Sequence, residues 1–234
     1  MGVYILGPVS PKSKLPTSEA VDDYLKAILE LSGPAEVRVT SNALAERLRV
    51  RAASVTGMLQ KLAAQRPSLV IYEKHRGVKL SSAGKRRAWE IVRHHRLLEL
   101  FLHNVLKYPW DEVHDEAERL EHFISERFED RIAALLGDPR TDPHGHTIPH
   151  KFEVPSLSNE VPLPQWPRGR AATIRSVGDR DAAVLRELER LELRPGVVLT
   201  VEQANANDSL RVRIAGRRES IRLSHELASQ VSVV

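Results

Sequence analysis

Residues 41–80 read SNALAERLRVRAASVTGMLQKLAAQRPSLVIYEKHRGVKL, and the fold turns on this stretch. Its first half predicts a helix over Ser41–Leu48, a tight break, and a second helix over Ala52–Ala64 with Val55, Met58, Leu59 and Leu62 on one face. Two short helices joined by a short turn read as helix-turn-helix. Two β-prone runs, Leu69–Tyr72 and Val78–Leu80, then flank Glu73-Lys74-His75-Arg76-Gly77, which predicts a hairpin with a basic tip, a wing. Between Arg38 and Trp89 stand twelve Lys or Arg and two acidic residues, Glu46 and Glu73, so the charge lies where phosphates would. In such a module the second helix enters the major groove of double-stranded DNA while flanking Lys and Arg hold the backbone. The candidate DNA contacts are Arg51, Ser54, Thr56, Gly57, Gln60, Lys61 and Arg76. Arg51 suits guanine acceptors, Ser54 and Thr56 suit bases or phosphate, and Lys61 and Arg76 suit phosphate. A solvated basic face or a protein-docking module is the competing reading; the agreement of spacing, wing and charge favours DNA.

Working outward, residues 1–16 are expected to be a flexible N-terminus, and a helix capped by Thr17 or Ser18 opens a winged domain over 17–90. That helix carries Val21, Leu25, Ile28, Leu29 and Leu31 at helical spacing and ends at Gly33-Pro34. After the wing, Ser81–Gly84 caps a long helix to about Tyr108, and Asp111 opens another to about Leu136, giving a helical domain over 91–138. Seven of the fourteen prolines fall between Pro139 and Pro167, which predicts an extended linker with His144, His146 and His150 in solvated loop, a weak metal site on Asp142–His150 being the lesser alternative. From Arg168 the pattern becomes short β-like runs around one helix, Asp181–Leu191, as expected of a small barrel over 168–234. The fold class is therefore mainly α with small β elements.

The chain has 234 residues and no Cys, which excludes disulfides, zinc ribbons, iron–sulfur clusters and thiol nucleophiles. With no readable signal sequence and no apolar run approaching about 18 residues, a cytoplasmic protein without a membrane span is expected. The net charge of +4 conceals a division along the chain. Residues 1–92 carry 15 basic and 8 acidic residues, whereas residues 93–150 carry 7 and 12, with eight of the ten histidines.

In that acidic third, His114, Glu118, Glu121 and His122 fall at i, i+4, i+7 and i+8, within one sector of roughly 100°. The apolar Ala117, Leu120, Ile124 and Phe128 occupy another face. On the preceding helix His95 and Glu99 form an i,i+4 pair. Any one such pair is usually an exposed salt bridge, but six ligand-type side chains on two facing helices build a metal site, as in metal-binding bundles. The rival from another class is a metalloenzyme, since the same groups build di-metal oxidases and hydrolases; the basic winged helix speaks for a non-enzymatic regulator.

Asp23-Tyr24-Leu25, Glu73–Gly77, Arg93-His94-His95-Arg96-Leu97-Leu98-Glu99 and Val113-His114-Asp115-Glu116-Ala117-Glu118-Arg119-Leu120-Glu121-His122 together give the chain its family likeness. It resembles the diphtheria toxin repressor family, metal-dependent homodimeric winged-helix repressors whose longer members end in an SH3-like (FeoA-like) domain. The resemblance implies a primary metal site on Asp23, Glu118, Glu121 and His122 and an ancillary site on His95, Glu99 and His114, with Asp181 lent by the C-terminal domain. Iron-type members carry Met at the position of Asp23 and Cys at that of Glu118; carboxylates at both are the pattern of the manganese branch, and oxygen ligands suit Mn²⁺. The resemblance thus implies a Mn²⁺-dependent repressor of metal-uptake genes acting on a palindromic operator, with Fe²⁺ as the alternative activator and Co²⁺, Zn²⁺ or Cd²⁺ able to occupy the sites. Manganese-type members place a second acidic ligand where this chain has Lys26, so a mononuclear primary site is expected in place of a binuclear cluster.

Overall fold

The computed structural model describes residues 19–33, 35–151, 159–205 and 209–234. The expected flexible segment 1–16 and the Thr17 or Ser18 cap lie outside the described residues. α1 (Glu19–Ser32) buries Val21, Tyr24, Leu25 and Ile28, the i, i+3, i+4, i+7 spacing of one helical face. α2 (Ser41–Leu48) starts on Thr40, whose hydroxyl oxygen accepts from the Ala43 amide at 3.1 Å. α3 (Ala52–Ala64) seats Val55, Leu59 and Leu62 in the same core. β1 (Val70–Glu73) and β2 (Gly77–Leu80) then pair antiparallel as the wing. Its turn requires Gly77: φ is +93°, and a Cβ would meet the Val39 carbonyl oxygen at 2.5 Å, because Val39 bridges to Val78 beside the hairpin.

α4 (Ser82–Asn104) is capped by Ser81 and joins the winged core, through Ala88, to a second core of Leu97, Leu98 and Leu102. α5 (Val113–Leu120) and α6 (Glu126–Leu135) pack there through Val113, Ala117, Ile132 and Ala133. The single helix expected from Asp111 to Leu136 is in fact two. The Glu121 amide makes a last helical bond to Ala117, and Ser125 restarts the chain by accepting from the Phe128 amide at 3.3 Å. The break leaves Glu121 fully buried, its carbonyl oxygen accepting from His94 Nδ1 at 3.1 Å.

Glu129 ties α6 to α4: it is buried, accepts from Arg93 Nε at 2.5 Å, and lies 3.2 Å from His94 Nε2. Burial alone would raise its pKa; His94 and Arg93 outweigh that and hold it below the usual carboxylate range. Removing one partner of a buried pair costs about 3–5 kcal/mol, so Glu129→Ala is expected to lose that much in denaturant melts at pH 7. The native carboxylate is the depressed one, so this contribution is full above the unfolded pKa of about 4.3 and vanishes as pH falls through the folded value. Wild type and Glu129→Ala should therefore converge in acid; a gap that persisted there would show that the loss was packing alone.

The C-terminal unit is a six-stranded antiparallel sheet in the order β3-β8-β4-β5-β6-β7. Its strands are β3 (Val161–Pro162), β4 (Ala171–Val177), β5 (Val198–Asn205), β6 (Ser209–Ile214), β7 (Ile221–Ser224) and β8 (Val231–Val233). Register shifts at Ile174/Ser176 and Val201/Gln203 bend the sheet around α7 (Ala182–Arg190), which inserts Leu185 and Leu188 into its core; α8 (His225–Ser229) precedes β8. Trp110, from the turn before α5, is buried in this same core. Arg186 pairs with Asp111 at 2.7 Å, and Arg180 pairs with Glu30 of α1.

The proline-rich stretch is not a solvated linker over residues 139–151. Asp142 Oδ1 accepts from the amides of His144 and His146 at 2.9 and 3.0 Å, Thr141 bridges to Thr147, and Ile148 enters the second core. Asp142 and His144 are buried, while His150 is exposed as expected. Apart from Ile148, the large side chains that bury here are the polar Asp142 and His144, which is why no apolar period marks the segment.

Candidate metal centre and nucleic-acid interface

The break between α5 and α6 sets the first centre. It brings Glu121 and His122 against α1, where His122 Nε2 lies 3.1 Å from Asp23 Oδ1 and 3.6 Å from Glu121 Oε1. Ligand atoms of Asp23, Glu121 and His122 lie within 4.8 Å of one another. Burial alone would lower the His122 imidazole, yet Asp22, Asp23 and Glu121 push it up to about 10. The surplus of carboxylate here calls for positive charge, and two carboxylates with one imidazole suit a borderline-to-hard dication. His122 Nδ1 is buried without a hydrogen-bond partner, 3.7 Å from Asp22 Oδ2. Asp22 is itself gripped by Arg87 through two bonds of 2.8 Å. Carboxylates behind ligating imidazoles orient them, but nothing in the sequence distinguishes Asp22 from an ordinary surface aspartate.

Glu118 is not grouped with Asp23. Its carboxylate, 42% exposed, lies 2.6 Å from Lys26 Nζ and groups with His95 and Glu121. Lys26, on α1, is buried and also donates to both Glu121 oxygens at 2.9 and 2.8 Å. Burial would strip its proton; Glu121 and Glu118 outweigh that and raise its pKa. A tethered ammonium therefore occupies the space between Glu118, Glu121 and His95 that a second cation would need.

The second centre collects His95, Glu99 and His114, with ligand atoms within 4.8 Å of one another. His95 Nε2 is 3.0 Å from Glu99 Oε1 and 3.1 Å from His114 Nδ1. Its Nδ1 faces Glu121 Oε2 at 2.5 Å, so His95 stands in both centres. Burial would lower this imidazole, but Glu99 outweighs it and holds the group near 10. Asp181 is not in this cluster: its Oδ1 caps α7, accepting from the Ala183 and Val184 amides at 2.8 and 3.4 Å. The C-terminal carboxylate present is Asp179, two residues earlier, with Oδ2 3.8 Å from His114 Nδ1 and 3.3 Å from His146 Nδ1. Both lie in one Asp-containing turn before α7: Asp179 joins the His95–Glu99–His114 group, and Asp181 caps the helix.

On the winged domain Arg51, Ser54, Gln60, Lys61 and Arg76 are exposed, and Thr56 and Gly57 are half-buried. The Thr56 hydroxyl donates to the Ala52 carbonyl at 3.3 Å, and Arg76, on the wing, pairs with Glu73 at 2.9 Å. Arg49, Arg66 and Lys74 are equally exposed and extend the basic surface beyond the candidates named from sequence.

A winged helix-turn-helix with a basic exposed face, joined to helices that carry His–carboxylate clusters, defines a metal-responsive DNA-binding regulator. The chain matches the iron dependent repressor N-terminal DNA binding domain over residues 16–78, its metal binding and dimerisation domain over 81–150, and a FeoA domain over 161–234. It is 30% identical to the iron-dependent repressor IdeR of Mycobacterium leprae over 92% of this chain and 96% of that protein. It is 36% identical to the HTH-type transcriptional regulator MntR of Bacillus subtilis over 51% of this chain and 82% of that one. A solved manganese-dependent transcriptional repressor in complex with manganese superposes with a TM-score of 0.83 at 36% identity, covering 92% of this chain and 99% of that one. The chain belongs to the iron-dependent repressor family of metal-dependent transcriptional repressors, with an SH3-like FeoA domain at its C-terminus. Among the described residues no helix is long and apolar enough to cross a membrane.

Proposed function

We propose that this protein is a Mn²⁺-responsive, cytoplasmic, homodimeric repressor of metal-uptake genes acting on a palindromic operator. The observation that carries the metal assignment is the donor set: Asp23, Glu121 and His122 offer carboxylate oxygen and imidazole nitrogen, and the chain has no Cys. Oxygen-rich sites suit Mn²⁺, whereas thiolate and thioether favour softer ions. Fe²⁺ is the second reading, favoured by the likeness to the iron-dependent repressor of Mycobacterium leprae. The sensing step belongs to α1: Asp23 and Lys26 lie on it, at the edge of the winged domain, whereas Glu121 and His122 belong to the helical domain. Asp23, Glu121 and His122 would hold a divalent cation, whose charge would offset the clustered carboxylates. Asp23 would thereby tie α1, and the helix-turn-helix packed on it, in one arrangement against α4 and α5, which is allostery by differential binding. Phe123, directly after His122, is 69% exposed, and Phe128 and Leu135 on α6 are exposed too, which leaves apolar side chains of the helical domain for a second copy to cover. On two-fold-related copies the recognition helices α3 would meet successive major grooves.

The test is operator affinity by fluorescence anisotropy across Mn²⁺, Fe²⁺, Zn²⁺ and Co²⁺ under anaerobic conditions. Activation at the lowest free concentration is expected with Mn²⁺; equal affinity with and without any metal would overturn the reading. Activation by Fe²⁺ alone would leave the sensor in place and change its metal.

A further inference from the structure

Between Ser209 and His225 the C-terminal sheet carries five Arg and one acidic residue, Glu219. β6 and β7 alternate, so Leu210, Val212 and Leu223 are buried while Arg211, Arg213 and Arg222 stand exposed on the outer face. The antiparallel register sets Arg211 directly opposite Arg222. Like charges at such a position are destabilising. Among the described residues neither guanidinium has an ion-pair partner. The nearby carboxylates are committed elsewhere: Glu202 accepts from Arg213 Nε and Ser220 Oγ, both at 2.6 Å, and Glu192 pairs with Arg217. Arg218, in the turn between the two strands, is exposed as well.

Charge on an edge strand such as β7 guards it against pairing with other chains, and that would account for Arg222 alone. Arg211 lies on β6, which is paired on both sides, so no edge there needs guarding. Small residues surround the guanidinium groups. Ser209 faces Ser224, while Thr200 and then Ala171 continue the row of Arg213. No aromatic ring stands among them to stack on bases. Arginine and hydroxyl donors without an aromatic platform are the chemistry that holds phosphate oxygens of a duplex.

We propose that the outer face of β6 and β7 binds the phosphate backbone of double-stranded DNA, giving the FeoA domain a sequence-independent contact beside that of the winged domain. Phosphate oxygens placed between Arg211 and Arg222 relieve a repulsion that the free protein retains. The inference rests on the DNA binding of the family and not on the identity of the metal.

The test is anisotropy titration of the full-length protein with a long random-sequence duplex across a range of KCl concentrations, comparing wild type with the double variant Arg211→Gln, Arg222→Gln. Both positions are exposed, so the variant should fold, and with the like-charge contact gone its melting temperature should be no lower than that of wild type. Each phosphate contact contributes about 0.9 to the slope of log K against log salt, so the variant should bind more weakly with a slope shallower by roughly 2 per bound chain. Unchanged slope and affinity would overturn the proposal. An unchanged slope with weaker self-association in sedimentation would also overturn it, assigning the face to a protein partner. Failure of the metal reading is separable, because it would appear as Mn²⁺-independent operator affinity and would leave this slope untouched.

Discussion

Glu121→Gln is expected to abolish the Mn²⁺ dependence of operator binding while leaving a folded protein. Glu121 is the carboxylate that both sides of the first centre share: Oε1 lies 3.6 Å from His122 Nε2, and both oxygens accept from Lys26. Effector coupling of this kind is about 1–3 kcal/mol, or roughly 5–150-fold in affinity, and the variant should lose all of it. Glutamine preserves the volume and an acceptor for Lys26 but carries no charge. Should the buried amide unsettle the fold, His122→Ala removes a ligand at a less enclosed position and should give the same loss. Anisotropy titrations with and without Mn²⁺ read the effect, with circular dichroism as the control. Full Mn²⁺ response in both variants would move the sensing site elsewhere.

Lys26→Met should make the metal-free protein markedly less stable and its stability dependent on Mn²⁺. In wild type the ammonium compensates Glu121, fully buried, and Glu118, 42% exposed. Removing one side of a buried ion pair costs about 3–5 kcal/mol, and the exposure of Glu118 argues for the lower end. For a chain of this size each kcal/mol moves Tm by about 2–4 °C, so a fall of roughly 6–12 °C is expected without metal. With the lysine gone, Glu118, Glu121 and His95 form an uncompensated donor set, and added Mn²⁺ should recover most of the loss through binding to the folded state. Equal melting of variant and wild type without metal would show that the ammonium contributes nothing net to the folded state.

Much of this was legible in the amino-acid order because it rests on local rules. Helices α2 and α3 and the wing follow from apolar spacing and turn chemistry within 40 residues, and they stand where the spacing puts them. His95 with Glu99, and Glu121 with His122, were readable as ligand types at helical spacing. Three features escaped. The break at Glu121 depends on a serine cap and on a bond from His94, which is distant in sequence. The pairing of Glu118 with Lys26 spans 92 positions, and no local pattern encodes it. The burial of Asp142 and His144 runs against composition, because prolines and polar side chains ordinarily mark solvated chain while here they close the seam between two domains.

The position of Trp110 bears on how such a protein can be divided. Its indole lies in the core of the C-terminal sheet although the residue belongs to the turn before α5, and its Nε1–H donates to the Pro143 carbonyl at 3.2 Å. Cutting the chain after the dimerisation helices would therefore leave a hole in one fragment and a bare indole on the other. The barrel is less a detachable cartridge than a cap pinned to the helices by Trp110, with the Arg186–Asp111 and Arg180–Glu30 pairs beside it. Swapping it between relatives would require the graft to carry residues 110 and 139–151 as well as the sheet itself.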